Sequence, residues 1–375
     1  MKRLFCVLLA VLMCIDLLQL RVSADGEQPA HMYSSALLEA STRMLIGGQD
    51  PETVLPVGTL TKLMTVYLAA EAVHEGRLTL NEPVKISPKA ERIPGATVWL
   101  TAGEEITVRE LLMAVIIGNA NDAAAALACR LSGDEAAFVM EMNAAAFTLG
   151  MRHTRFADCT GISDENRSTA REIGMLCCVL LEYDFLVPFL SAWRDHIRDG
   201  KTELVNENRL TRTYEGILGM KAGHGDASGY TLALAAERDG MRFVSVILGC
   251  DGTDERFTYA KNLLSQGFSG FTVTTPDLSA EFMRPVPVRG GTENAVLAET
   301  DALYAAAVPK GKRVSAVVIL PKCIAAPVEA GQAIGTAAFY CGDSLLYETA
   351  LIAADPVPKR GFSEALTMLL AKLCK

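Results

Sequence analysis

Late in the chain two apolar, β-prone runs, Gly229–Ala236 and Arg242–Leu248, stand back to back, joined by Glu237-Arg238-Asp239-Gly240. Asp-Gly between two such runs is a strong short-range signal for a β-hairpin. The chain must therefore build a sheet around residue 240. At the other end of the same segment, Ser35–Ala40 and Arg43–Ile46 read as two short strands, the second closed by Gly47-Gly48. The expectation is one sheet closed by the first and last strands of the segment.

Between those ends the period is helical. Thr59–Glu75 places Leu60, Leu63, Met64, Tyr67, Leu68 and Ala72 near helical spacing. Val108–Ala128 reads as two helices broken around Gly118–Asn121. Glu135–Leu149 is amphipathic, with Gly150 where a C-cap belongs, and Thr169–Tyr183 and Asp254–Leu264 are further helices. From about Thr275 the helical pattern stops. Short β-prone runs follow at Arg284–Val288, Ala295–Ala298, Val314–Ile319, Ala333–Tyr340 and Ser344–Ile352, separated by Gly and Pro. They suit a small β-sandwich.

The two chain ends point outside the cell. Lys2 and Arg3 precede an apolar run, Leu4–Leu20, and Val22-Ser23-Ala24 offers small residues for signal cleavage. Residues 1–24 are expected to be a secretory signal. In 356–375, Phe362, Leu366, Met368-Leu369-Leu370 and Leu373 supply an apolar side, and Lys359, Arg360, Lys372 and Lys375 supply positive charge. That stretch is expected to lie on a membrane surface, being too short and too charged to span one. The formal net charge of -9 argues against nucleic acid as a partner, because phosphate binding wants a basic face. Of ten cysteines, Cys6 and Cys14 leave with the signal. The rest show no C-x-x-C and no Cys/His ligand spacing, so no metal is expected, and Cys177-Cys178 read as core.

Three short segments carry chemistry. In Thr59-Leu60-Thr61-Lys62 a hydroxyl and an amine lie three apart at a helix start, so both project from one face. A lysine whose pKa is depressed can serve such a hydroxyl as base. Asn119-Ala120-Asn121 sits at the break between two helices, where amides can reach into a cleft. Lys221-Ala222-Gly223-His224 leads into the strand Gly229–Ala236. Its lysine would attract a carboxylate at a sheet edge, and its small residues would let a peptide backbone lie alongside.

In this order the three segments resemble the Ser-x-x-Lys, Ser-x-Asn and Lys-Thr-Gly motifs of the low-molecular-weight penicillin-binding proteins, specifically the D-alanyl-D-alanine carboxypeptidases. Arg92-Ile93-Pro94-Gly95, Leu100-Thr101-Ala102-Gly103-Glu104, Leu149-Gly150-Met151, Thr160-Gly161 and Asn206-Glu207-Asn208-Arg209-Leu210 are similar to family segments between the motifs. The resemblance runs from about Met32 to Phe271, and Ala326–Gln332 extends it into the β-rich part. It implies an α/β (α+β) β-lactamase/transpeptidase-like domain, with an antiparallel sheet and helices on both sides, over 25–274. A C-terminal β-sandwich over 275–355 and the membrane-surface tail complete the expected chain. The implied reaction is removal of the terminal D-alanine from peptidoglycan stem peptides ending in D-Ala-D-Ala. β-Lactams would be covalent ligands, the place of action the outer face of the cytoplasmic membrane, and no cofactor is called for. Thr59, Lys62, Asn119 and Asn121 would be catalytic, and Lys221, Ala222, Gly223 and His224 would bind substrate.

All three motifs are altered. Thr59 stands where the family has serine, Asn119 replaces the serine of the second motif, and Ala222 replaces the threonine of the third. A catalytically weak or inactive protein that only binds stem peptides or penicillins remains an alternative. So does a β-lactamase, although the β-rich part and the basic tail argue against it.

Overall fold

The computed structural model describes residues 33–276, 278 and 284–362. The expected signal segment and residues 363–375 of the expected tail lie outside the described residues.

Strands β1 (Ser34–Glu39) and β2 (Leu45–Gly47) open the first part. A short 3-10 turn, Gly58–Thr61, runs into α1 (Lys62–His74). Helices α2 (Val108–Ile116), α3 (Asn121–Ser132), α4 (Glu135–Thr148) and α5 (Ala170–Leu180) follow, then β3 (Ile217–Gly225), β4 (Gly229–Arg238), β5 (Met241–Cys250) and α6 (Thr253–Gly270). The strand order is β2-β1-β5-β4-β3, all antiparallel. The first strand does pair with the last, Ser34 opposite Leu248. The β4–β5 turn consists of Asp239 and Gly240, both with positive φ (51° and 75°), because Arg238 pairs directly with Met241. This is the left-handed pair that a twist-matched two-residue hairpin needs.

Strand parity sends side chains to two cores. Ala233, Ala235, Val244 and Val246 join the helical layer of α1 to α5. Leu232, Leu234, Phe243 and Ile247 face the other way, onto Phe257, Ala260 and Leu264 of α6. The sheet is thus covered on both faces. Small residues set the spacing. A Cβ on Gly174 of α5 would come within 2.3 Å of Leu38, so α5 packs directly on β1. Side chains cap three helix starts: Thr107 and Glu110 form a reciprocal capping box on α2, and Asp134 and Thr169 cap α4 and α5. Helix α4 ends with Leu149, and Gly150 follows at φ 82°.

The β-rich part has its own core of Val286, Val296, Ile334, Phe339, Leu351 and Val357. Its largest sheet pairs Val314–Ile319 with Ala333–Cys341, and that strand with Ser344–Ala353. Phe271–Thr274 pairs with Ala306–Pro309, so strand structure begins straight after α6, ahead of the expected onset near 275. Cys177 and Cys178 are buried in the first core, and the cysteines of the described residues are free thiols.

Candidate active site

The 3-10 turn that starts α1 lies against the edge strand β3, and a cleft of about 500 Å³ opens between them. Pro56, Gly58, Thr59 and Lys62 form one wall, Asn119 and Asn121 a second, and His224 and Gly225 a third. Residues from all three sequence segments therefore meet in one place.

Thr59 and Gly223 touch across the floor. A Cβ built on Gly223 would stand 1.6 Å from Thr59 Oγ1 and 2.9 Å from Thr59 Cβ. No side chain fits at 223 while Thr59 holds this position. Thr59 Oγ1 is buried and has no hydrogen-bond partner. Lys62 is 1 % exposed and donates to the Thr160 carbonyl at 2.6 Å. Burial pushes its pKa down to about 8, against the pull of Asp158.

Asn119 sits at φ 56°, in the left-handed region that asparagine tolerates better than most residues, and joins α2 to α3. Its Oδ1 is buried without a partner at the cleft. Asn121 opens α3 and donates from Nδ2 to the Pro94 carbonyl at 2.7 Å, while its backbone N–H donates to Ala96. The loop carrying Gly95 and Ala96 is thereby drawn into the cleft wall.

The third segment divides by strand parity. Gly223 faces Thr59, and His224 is exposed in the cleft with its ring 4.3 Å from that of Tyr230. Ala222, expected to bind substrate, instead points into the α6-side core with Leu232 and Leu234 and does not line the cleft. Lys221, expected to meet a carboxylate, is also withdrawn. It is 2 % exposed and donates to the Val115 carbonyl at 3.0 Å, at the C-terminal end of α2. A cation suits the negative end of a helix dipole. Burial first, and neighbouring Lys62 second, lower the Lys221 pKa to about 7.

Several residues of the site escape sequence reasoning. The loop Thr160–Ser163 roofs the cleft, and a Cβ on Gly161 would fall 2.0 Å from the Gly58 carbonyl oxygen. Asp158 holds that loop by accepting the N–H groups of Thr160 (2.7 Å), Gly161 (2.5 Å) and Ser163 (2.6 Å). Burial alone would raise the Asp158 pKa, but those N–H groups outweigh it and hold the carboxyl below its ordinary value. Arg256 of α6, 5 % exposed, donates from one nitrogen to the carbonyls of Gly223 and Thr231 and so fastens β3 to β4 beside the cleft. Asp164, Glu207 and Asp226 make the rim acidic. The only forward signal for these residues is Thr160-Gly161 and Glu207 within family-like segments. Asp158 and Arg256 carry none.

Among the described residues, no group of three or more His, Cys, Asp or Glu is placed to hold a metal ion. A hydroxyl, a buried amine and two amides around one cleft beside a sheet edge, with a second buried amine behind its wall, are the equipment of covalent acyl transfer.

Comparison with known proteins agrees. Residues 22–252 match the family described as D-alanyl-D-alanine carboxypeptidase, and residues 279–359 match the penicillin-binding protein 5 C-terminal domain. The D-alanyl-D-alanine carboxypeptidase DacF of Bacillus subtilis (strain 168) is 30 % identical over 374 residues, covering 96 % of each chain. Penicillin-binding protein 5 from Haemophilus influenzae superposes with a TM-score of 0.78 at 25 % identity, over 87 % of this chain and 97 % of that one. The ampicillin-bound form of penicillin-binding protein D2 from Listeria monocytogenes superposes with a TM-score of 0.58 at 28 % identity, over 65 % of this chain and all of that one. By sequence and by fold, this chain belongs to the D-alanyl-D-alanine carboxypeptidase family of enzymes, the low-molecular-weight penicillin-binding proteins.

Proposed function

We propose that this chain removes the terminal D-alanine from peptidoglycan stem peptides through an acyl-enzyme on Thr59, acting outside the cytoplasmic membrane. The carrying observation is that Thr59 and Lys62 line one cleft directly against the edge strand that bears Gly223. A peptide laid along β3 would add a strand to that edge, with main-chain hydrogen bonds fixing its register. Neutral Lys62 would take the Thr59 proton as the hydroxyl attacks the D-Ala–D-Ala carbonyl. The C–N bond then breaks, the proton passes to the leaving D-alanine amine, and water releases the acyl group. Outward N–H groups of β3 and of the turn at Thr59 would hold the oxyanion. Lys221, behind the wall, would brace the strand edge through its bond to the Val115 carbonyl rather than contact the substrate carboxylate. Because the base form of Lys62 is the neutral one, acylation should accelerate as pH rises through about 8.

One observation favours a second reading, a protein that binds stem peptides without turning them over. Thr59 Oγ1 has no partner, and Lys62 donates to Thr160 rather than to Thr59. Threonine's β-branch restricts χ1, so the methyl competes with the hydroxyl for the place beside the lysine.

A labelled penicillin and a D-Ala-D-Ala peptide distinguish the two. The enzyme reading expects label on the wild type, none on Thr59→Ala, and at least tenfold faster acylation in Thr59→Ser. A wild type that takes no label and releases no D-alanine above background sinks the enzyme reading.

A further inference from the structure

Trp99 is 81 % exposed on the loop that carries Gly95 and Ala96 into the cleft wall. Its φ is 53°, a left-handed conformation that bulky side chains rarely adopt. The surrounding structure holds it there from both sides. The N–H groups of Val98 and Leu100 donate to the buried carboxylate of Asp122, at 3.1 and 2.9 Å. The carbonyls of Val98 and Trp99 accept from the guanidinium of Arg198, at 2.8 and 3.2 Å. Glu104 fixes that guanidinium at 2.6 Å. The result is a large apolar ring presented rigidly to solvent. Strain held in place by this many contacts, with no burial of the side chain in return, points to a ligand.

The loop is continuous with the cleft. Asp122 follows Asn121 directly, and the Val98 side chain packs within 3.5 Å of where a Gly118 Cβ would stand, next to Asn119. Trp99 stands three residues beyond Ala96, at most about 10 Å of chain. A stem peptide bound for cleavage of its last bond has four residues between that bond and its sugar, spanning at most roughly 14 Å. The two lengths are of one order.

We propose that Trp99 is a saccharide platform, its indole face taking the apolar face of an N-acetylhexosamine ring in the glycan that carries the stem peptide. The inference rests on the stem-peptide reading given above. A neutral sugar suits the place. Arg198, which donates to the Trp99 carbonyl, is already paired with Glu104 and so offers no free cation to an anionic lipid surface or a nucleic-acid phosphate, whereas an uncharged ring needs none. An indole is rigid, so stacking orders little that was free before.

The chain has two tryptophans, so Trp193→Phe leaves Trp99 as the only indole reporter in the full-length protein. In that background, chitotetraose should shift Trp99 emission saturably, with no response once Trp99→Ala is added. In the wild-type background, Trp99→Ala should raise KM about tenfold for a disaccharide-pentapeptide and leave kcat unchanged. The same variant should leave both constants unchanged for the sugar-free pentapeptide. Trp99→Phe, which keeps a ring on the same backbone, should fall between. Trp99 emission unmoved by chitotetraose, or an equal loss on both substrates, overturns the platform. If the wild type releases D-alanine from neither substrate, the acyl-transfer reading fails on its own, and the emission experiment still decides the platform.

Discussion

Lys221 is a cation held almost out of water, with the Val115 carbonyl as its hydrogen-bond acceptor and Lys62 as its neighbour. Its folded-state pKa, about 7, lies below the unfolded value of about 10.4. Between those values the unfolded chain binds more protons than the folded one, so stability must rise with pH across the window. Lys62, lowered to about 8, adds the same sign over a narrower range. We expect wild-type stability in urea to climb from about pH 7 towards pH 10, by an amount on the order of 3 kcal/mol. Lys221→Met should flatten more than half of that climb while abolishing acylation. A variant with the wild-type slope would show that Lys221 is not buried as a charge. At this scale the sequence is legible where chemistry follows spacing. Thr59 and Lys62 lie three apart at a helix start and do share a wall of the cleft. Ala222 is not legible, because its direction depends on strand parity, and nothing in Ile217–Gly225 announces a strand. That run has three glycines and a single β-branched residue, Ile217, and is extended because β4 pairs with it.

The roof of the cleft depends on one carboxylate that anchors a loop rather than on the helices. Asp158 accepts three backbone N–H groups and the Asn166 side chain, and the same loop supplies the Thr160 carbonyl that holds Lys62. Asp158→Asn keeps the shape but replaces one acceptor oxygen by an amide donor facing N–H groups. Loss of one charge-assisted bond and repulsion at a second donor should cost about 2–4 kcal/mol of stability. The displaced Thr160 carbonyl should slow acylation at Thr59 by ten- to a hundredfold. Penicillin labelling and thermal unfolding of the variant check both; unchanged labelling would separate the roof from the position of Lys62. Acid should mimic the substitution. The Asp158 pKa is depressed in the folded state, so its contribution is complete above the usual carboxylate range and is lost as pH falls through the lower folded value. The helices that frame this loop are legible, because capping residues and 3.6-residue periodicity are local. The loop is invisible to such reasoning, because Asp158 acts through backbone groups whose positions only the fold defines.

At the scale of the molecule, the three apolar clusters of the described residues sort into two sets. The helical-layer and α6-side clusters share the main sheet, whereas the β-rich part packs Val286 to Val357 on one another. The change of pattern near residue 275 marks this division in the sequence. The pairing of Phe271–Thr274 with Ala306–Pro309 is not marked, because four residues carry too little periodicity to be read. Separate cores of this size should melt as separate cooperative units. Scanning calorimetry of the chain should therefore resolve two transitions. A penicillin bound in the cleft stabilises only the folded form of the part that contains the cleft, so by linkage it should raise one transition and leave the other in place. Thr59→Ala should remove that rise if it depends on acylation and retain part of it if noncovalent binding suffices. A single transition that moves as a whole with ligand would mean that contacts between the two parts, not their cores, govern stability, and the cleft would then be sensitive to substitutions in the β-rich part.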